Sequence, residues 1–387
     1  MKILYHHRIA SKDGQFVHIE ELTHALKKRG HEIVMVGPAV VDSDEFGGEG
    51  GMVAWLKKRM PGFVYELMEL AYAWIAYFKL RKAVREHRPD CLYERYNLYM
   101  PAGVWIKRKY KLPMLLEVNA PIFEERSKYH GIALPRLARW TEVFTWRGAD
   151  KTLPVTQVLA QRVMDAGVPR QRIEVIHNGI DYGKFGTVPD TEAAKAKLGL
   201  SGRVVLGFTG FMREWHGLER VVELIAADQS GARHLLLVGD GPARAGIEQR
   251  ARELKVSERV TVTGVVKREQ IASYVAAFDV ALQPDVVDYA SPLKLFEYLA
   301  LARPVVAPDK ANIREVLIHE QNALLFKADD PAAFTAAIKR MADDGALRAR
   351  LALAARATIE QGGFTWDHNA QRVEALFYAL GVAKRPS

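Results

Sequence analysis

The chain begins MKILYHHRIASKDGQFVHIEELTHALKKRGHEIVMVGP (Met1–Pro38), and the pattern in this stretch sets the architecture. MKILYHHR is short and apolar, as a buried strand is. From Gly14 the spacing turns helical: Val17, Leu22, Ala25 and Leu26 fall on one side, and Gly30 supplies the left-handed residue that ends a helix. HEIVMVGP is a second strand. Strand, helix and strand in succession make a βαβ unit, which implies parallel strands with a right-handed crossover.

The alternation continues along the chain. DCLYERY, PMLLEVNAP and KTLPVTQ are further apolar runs with helical stretches between them, and RIEVIHNGID closes the first half on an Asn-Gly turn. A polar region with Pro and Gly follows, DYGKFGTVPDTEAAKAKLGLSGR. Strands resume at VVLGFTG, HLLLVGDG, RVTVTGVV, DVALQP, RPVVAPD and NALLFK. The expectation is an α/β protein of two Rossmann-like, doubly wound domains facing across a cleft, with residues 1–187 in the first and 188–365 in the second.

A length of 387 residues exceeds one ordinary core and suits two domains. With 49% hydrophobic and 26% charged residues the composition is globular. Cys91 is alone, which excludes an intrachain disulfide and fits a reducing compartment. Met1 leads straight into a strand, so a cytoplasmic protein is expected. The longest apolar-rich stretch, Val64–Phe78, carries Glu66 and Glu69 and is too short and broken to span a bilayer. The net charge of +9 is uneven: residues 1–186 hold 29 Lys/Arg against 21 Asp/Glu, and residues 187–387 hold 26 against 25. This basic first half suits a phosphorylated substrate, an anionic lipid or nucleic acid, or is simply solvated. No nucleic-acid recognition motif accompanies it, so no nucleic-acid partner is expected.

Ligands of open parallel sheets sit at the carboxyl ends of the strands, so the residues that follow the strands matter most. In GFTGFMREWHG, Gly210 allows close backbone approach, and Arg213 and His216 lie on a turn leading into a helix. That combination suits an anion, or is a plain strand-to-helix turn. It is neither a dinucleotide fingerprint nor a P-loop. In VGDGPAR, Asp240 and Gly241 border a nucleotide or merely turn the chain. Backbone groups from Gly264 to Lys267, including Val266, are placed to meet a base edge. In SPLKLFEYLALARPVVAPD (Ser291–Asp309), Ser291 is expected to cap a helix that Pro292 opens. The first-turn N–H groups, from Leu293 on, and the Lys294 ammonium suit a phosphate. Glu297 lies three residues further along the same face and suits sugar hydroxyls, as a carboxylate suits a ribose diol. The alternative is a capped amphipathic helix whose Lys294–Glu297 surface pair contributes under ~1 kcal/mol.

Taken together, these segments resemble the retaining glycosyltransferases of family 4, which have the GT-B fold. The likeness covers nearly the whole chain. KDGQFVHIEELTHALKKRGHEIVMVGP, IHNGIDYGKF, GFTGFMREWHGLERVVELI, VGDGPAR and SPLKLFEYLALARPVVAPD carry it, in that order and spacing. The resemblance implies a nucleotide-diphosphate sugar, UDP- or GDP-linked, held mainly by the second domain. It implies a hydroxyl acceptor held mainly by the first, no metal and no cofactor, and a last helix, in 366–387, that crosses back to the first domain. By position Glu297 matches the second glutamate of the family's Glu-x7-Glu motif, while Tyr289 stands where the first would be, with Asp288 beside it as a substitute. Phe211 stands where an arginine is commonest and His216 near the usual lysine. Arg213 and Lys294 are the replacements, as in a subgroup with a Ser-Pro-x-Lys-x-x-Glu pattern.

In the first half Gly14 matches the family's glycine-rich loop. Gln15, His18, Arg95 and Asn97 are the acceptor-side candidates. In LLEVNAP, where many members carry a histidine, Glu117 and Asn119 share a face by alternation. Glu117 is expected to orient the acceptor or act as a weak base and Asn119 to bond the sugar; otherwise both stabilise an end-of-strand turn. The implied reaction is retaining transfer of a hexose in polysaccharide, lipopolysaccharide or other glycoconjugate assembly. Attack comes from the leaving-group face, with the leaving phosphate oxygen taking the acceptor proton while Arg213, Lys294 and helix N–H groups stabilise the developing charge.

The segment WLKKRMPGFVYELMELAYAWIAYFKLRKAVREHRP is basic at both ends and aromatic within, from Trp55 to Phe78. It suits the inner face of an anionic plasma membrane and a lipid-linked acceptor, or a long helix buried in the first domain. The competing functional classes are another GT-B enzyme, such as a nucleotide-sugar epimerase, and a non-catalytic sugar-nucleotide-binding protein.

Overall fold

The computed structural model describes residues 1–9, 14–38, 60–129, 131–187 and 190–384. Trp55 and the side chain of Gln15 lie outside the described parts. Two parallel sheets organise the chain. The first contains β1 (Lys2–His6), β2 (Glu32–Val36), β3 (Cys91–Arg95), β4 (Met114–Val118) and β5 (Lys151–Pro154), in the order β2-β1-β3-β4-β5. The second contains β6 (Val204–Thr209), β7 (Arg233–Val238), β8 (Val260–Val262), β9 (Val280–Leu282), β10 (Val305–Pro308) and β11 (Leu324–Phe326), in the order β11-β10-β9-β6-β7-β8. Counted from β6, the second sheet has the 3-2-1-4-5-6 order of dinucleotide-binding folds. The winding reverses between β1 and β3 in one sheet and between β6 and β9 in the other. At those points the crossovers leave on opposite faces, and a crevice opens at the carboxyl edge of the strands.

Helices cover both faces of each sheet, and this is why strands β3 and β4 are buried at every position. In the second sheet Leu206, Phe208, Leu235, Leu237, Val280 and Leu282 meet Val221, Val222, Ile225, Ile247 and Ile338 from the crossover helices in one core.

The chain divides into two compact units. The first takes residues 1–178, 289–291 and 366–387, and the second takes 179–288 and 292–365. The division therefore falls at Asn178–Gly179 rather than at 187–188. Asn178 is held in the first unit, its N–H on Ser291 Oγ at 3.1 Å and its side-chain amide on the Ser291 carbonyl at 2.6 Å. Two residues on, Ile180 N–H bonds the Phe364 carbonyl of the second unit at 3.0 Å. Ser291 does not cap the helix Leu293–Ala300 as expected, because its hydroxyl is engaged by Asn178; Pro292 occupies the cap position without a side-chain bond.

The terminal helix Trp366–Ala379 packs on the helix Gly14–Lys28 within the first unit. Trp366, Ala370, Val373 and Phe377 form its buried stripe. Arg29 clasps Glu374 with two bonds, at 2.9 and 2.6 Å, and Asn369 donates to the His177 carbonyl at 2.8 Å. Truncating the fully buried Phe377 to Ala is expected to cost about 3–5 kcal/mol of stability. Urea unfolding of the variant measures this, and a loss below about 1 kcal/mol would contradict the packing.

Candidate functional site

In the second unit, a platform forms where β6 and β7 end. The backbone after β6 lies directly on the turn after β7: Gly210 N–H bonds the Val238 carbonyl at 2.8 Å and Met212 N–H bonds the Asp240 carbonyl at 2.9 Å. Gly239 has φ +140 and Gly241 φ +156. A Cβ on either would lie 2.2 Å from a carbonyl oxygen, that of Gly210 or Met212 respectively. These glycines serve close backbone packing. The Asp240 carboxylate is engaged by its own turn, through Gly241 N–H at 2.8 Å, and by Arg244 at 2.9 Å.

The Lys294 side chain arrives over this platform from the second residue of helix Leu293–Ala300. Its ammonium stands 3.8 Å from the centroid of the Phe208 ring, and a Cβ at Gly210 would sit 3.3 Å from Nζ. The residue is half-buried, and burial pushes its pKa down to about 7, partly offset by the Glu297 charge. Among the described residues no acceptor meets Nζ. The N–H groups of Leu293 and Lys294 belong to the first turn, where helices leave donors unpaired.

His216 is buried with its ring 5.0 Å from Phe208. Its Nδ1 accepts the Arg213 N–H at 3.1 Å. Burial, then the charges of Lys294 and Arg213, push its pKa down to about 3, so the ring is neutral and carries its proton on Nε2. Arg213 is exposed, with its guanidinium 5.1 Å from the Phe211 ring centroid. Glu297 is buried and meets Arg268 at 3.1 Å. Of the two basic neighbours, Lys267 is exposed and Arg268 reaches the glutamate; Val266 is half-buried.

The structure thus brings together Gly210, His216, Lys294 and the start of helix Leu293–Ala300. It adds Phe208 and Arg268, which the sequence reading missed. Phe208 carried a signal, since strand alternation puts it on the side of Gly210, two residues on. Tyr289 and Ser291 were expected on the donor side but are held in the first unit. Thr156 donates to the Tyr289 carbonyl at 2.9 Å, the Arg162 guanidinium lies 5.2 Å from its ring centroid, and burial with the Glu125 charge raises its phenol pKa.

In the first unit, Glu117 at the end of β4 is a saturated carboxylate. Oε2 accepts from His18 Nε2 at 2.8 Å and from the Tyr93 hydroxyl at 2.6 Å; Oε1 accepts from Arg95 at 2.5 Å and from the Asn119 amide. Burial alone would raise its pKa, but the His18 and Arg95 charges and the hydrogen bonds hold it well below the ordinary 4.5. The weak-base expectation is overturned, because four donors and a depressed pKa leave this carboxylate little basicity. His18 Nδ1 faces Asn178 Oδ1 at 2.8 Å, while the Asn178 amide nitrogen is committed to Ser291. Both His18 nitrogens therefore face side-chain oxygens. The space beside His18, Tyr93, Glu117, Trp366 and Asn369 is a cavity of about 10 Å³, room for one water at most. His18, Arg95 and Glu117 form a buried scaffold. Asn119 and Asn97 are half-buried at its edge, and Gly14 opens its helix.

Glu117→Gln removes the anion that Arg95 and His18 share and is expected to cost about 3–5 kcal/mol. The carboxyl pKa is lowered on folding, so this stabilisation is full above 4.5 and is lost as the pH falls through the folded value. The variant should therefore show a flatter acid limb in urea unfolding, and a wild-type stability profile would contradict the scaffold.

Known proteins match both units. Residues 12–184 match the family model described as Glycosyltransferase Family 4, and residues 203–344 the one described as Glycosyl transferases group 1. A GDP-mannose-dependent alpha-mannosyltransferase of Mycobacterium tuberculosis is 24% identical over 313 residues, 78% of this chain and 76% of its own length. The lipopolysaccharide core biosynthesis glycosyltransferase LpsD of Rhizobium meliloti is 30% identical over 53% of this chain and 57% of its own. The D-inositol 3-phosphate glycosyltransferase of Nocardioides sp. is 27% identical over 58% of this chain and 52% of its own, so this chain spans about half the length of the latter two. In fold the chain is similar to HepE of Anabaena, crystallised with UDP, at TM-score 0.77 and 18% identity, covering 98% of this chain and 100% of that one. It is equally similar to the sucrose-phosphate synthase of Thermosynechococcus elongatus, at TM-score 0.76 and 18% identity, covering 99% and 100%. With two parallel α/β sheets, and a glycosyltransferase family model matching each half, the chain belongs to the GT-B glycosyltransferases and is a hexose-transferring enzyme.

Proposed function

We propose that the chain moves a hexose, with retention, from a UDP- or GDP-linked sugar to a hydroxyl of a growing polysaccharide, lipopolysaccharide or other glycoconjugate. One observation carries the donor site: the half-buried Lys294, its ammonium over the Phe208 ring and without an acceptor among the described residues, on the first turn of a helix beside the point where the sheet winding reverses. A cation left unpaired in that position favours a multiply charged anion, and a pyrophosphate fits. The first-turn N–H groups, the His216 Nε2–H and Arg213 add donors of the right sign. Glu297, held by Arg268, presents its carboxylate to the ribose, and Gly210 leaves room for the sugar phosphate. These groups supply the charge stabilisation, with no metal required. The UDP in HepE and the GDP-mannose of the mycobacterial relative support the choice of nucleotides. Asn97 and Asn119 are the acceptor-side contacts in the first unit. Retention rests on the resemblance that the segments carry together, in their order and spacing, and NMR of the product's anomeric proton tests it.

Lys294→Ala should weaken UDP or GDP binding and lower turnover at least about tenfold, or about 1.4 kcal/mol. Calorimetry and initial rates measure this, and a folded variant with unchanged values would sink the assignment. Binding needs the protonated amine. With its pKa near 7 in the free protein, affinity should fall as the pH rises from below 7 to well above it. The Lys294→Ala variant should lose that part of the slope, and a wild-type affinity flat across pH 7 would contradict the role of the ammonium.

A further inference from the structure

Helix Gly62–His87 is apolar on both sides. Its inner side buries Ala73, Ala76, Leu80, Ala83 and Val84, with Glu66 buried beside them on the Tyr99 hydroxyl at 2.8 Å. On the outer side Phe63, Leu67, Trp74, Ile75 and Phe78 are each between 47% and 57% exposed. At 3.6 residues per turn these five fall within an arc of roughly 120° and run about 22 Å along the axis from Phe63 to Phe78. The same arc continues into Arg81, Lys82 and Arg85, so the stripe is apolar along most of its length and cationic at its end. Phe78, Arg81, Lys82, Arg85 and Glu86 line an open groove there. Glu86 is the acid at its border, 3.8 Å from Lys82. A second cation adjoins the aromatic part: Lys109 lies 3.2 Å from the Tyr77 hydroxyl, and Trp105 packs on Trp74 with ring centroids 5.0 Å apart.

An apolar surface of this length is costly to leave in water. Aromatic side chains along one helix face, cations at its end and an excess of 18 Lys/Arg over 10 Asp/Glu in residues 51–150 match a helix lying in the interface of an anionic bilayer. Among the described residues no helix is long and apolar enough to cross a membrane. We propose that the Phe63–Arg85 face of this helix docks on an anionic phospholipid bilayer, with the aromatic stripe at the acyl boundary and Arg81, Lys82, Arg85 and Lys109 on headgroup phosphates. Such a surface deepens the functional reading by pointing to an acceptor presented at a membrane. It rests on surface chemistry alone, so vesicle binding and nucleotide binding fail or succeed separately.

The test is sedimentation of the full chain with vesicles of phosphatidylcholine alone and of phosphatidylcholine mixed with phosphatidylglycerol, at physiological salt. Wild type should bind the mixed vesicles at least about tenfold more tightly. Trp74→Ser with Phe78→Ser should lose most of that binding, and Lys82→Ser with Arg85→Ser should lose the preference for phosphatidylglycerol. Both pairs sit outside the buried core, so the variants should stay folded by circular dichroism and bind UDP or GDP as wild type does. Three outcomes would overturn the proposal: no sedimentation with anionic vesicles, binding that neither pair changes, or a dimer by light scattering that the Trp74/Phe78 pair dissolves while vesicle binding is absent.

Discussion

The Lys294 ammonium rests on the Phe208 ring, 3.8 Å from its centroid, with no acceptor meeting it among the described residues. Drawing a cation partly out of water costs free energy that an aromatic face returns only in part, up to on the order of 2 kcal/mol when the pair is desolvated. The remaining cost appears as a lysine pKa near 7. A neutral side chain would fill the same space without that penalty. Neighbouring features are arranged around the charge. Gly210 leaves space in front of it, and the Gly239–Gly241 turn supports the Gly210 backbone from behind. Burial, and after it the two nearby cations, keeps His216 neutral, and it offers a hydrogen bond without adding repulsion.

The first unit handles buried charge in the opposite way. Glu117 accepts four hydrogen bonds, and His18, Arg95, Tyr93 and Asn119 are committed to it. Through His18 the network continues to Asn178, and through Asn178 to Ser291, joining four stretches of chain far apart in sequence. Removing any one partner leaves another buried and unpaired, which is why such networks fix a structure more than they serve chemistry. A satisfied cluster and an unsatisfied cation call for different readings. The first is scaffold, and the second is a site waiting for an anion.

Much of this was legible in the sequence. Strand and helix periods at Met1–Pro38 and after Gly186 were enough to expect two parallel sheets, because buried parallel strands are nearly continuous apolar runs. The spacing of Lys294 and Glu297 on one short helix pointed to a shared ligand. What stayed hidden depended on partners distant in the chain. Ser291 looked like a helix cap until Asn178, 113 residues away, proved to hold its hydroxyl. Glu117 looked like a free carboxylate because nothing local shows that His18 and Arg95 converge on it. Glu297 pairs with Arg268, 29 residues away, which no local spacing shows. Spacing along the chain predicts which face a side chain occupies, but not which distant group meets it there.

The most direct measurement of the account is the titration of Lys294 itself, followed by NMR of the labelled lysine ε-carbon in the full-length protein with and without UDP or GDP. The expected result is an amine that titrates near 7 in the free protein and moves upward when the nucleotide diphosphate binds. An amine that titrates in the ordinary lysine range, or one that either nucleotide binds without moving, would contradict it.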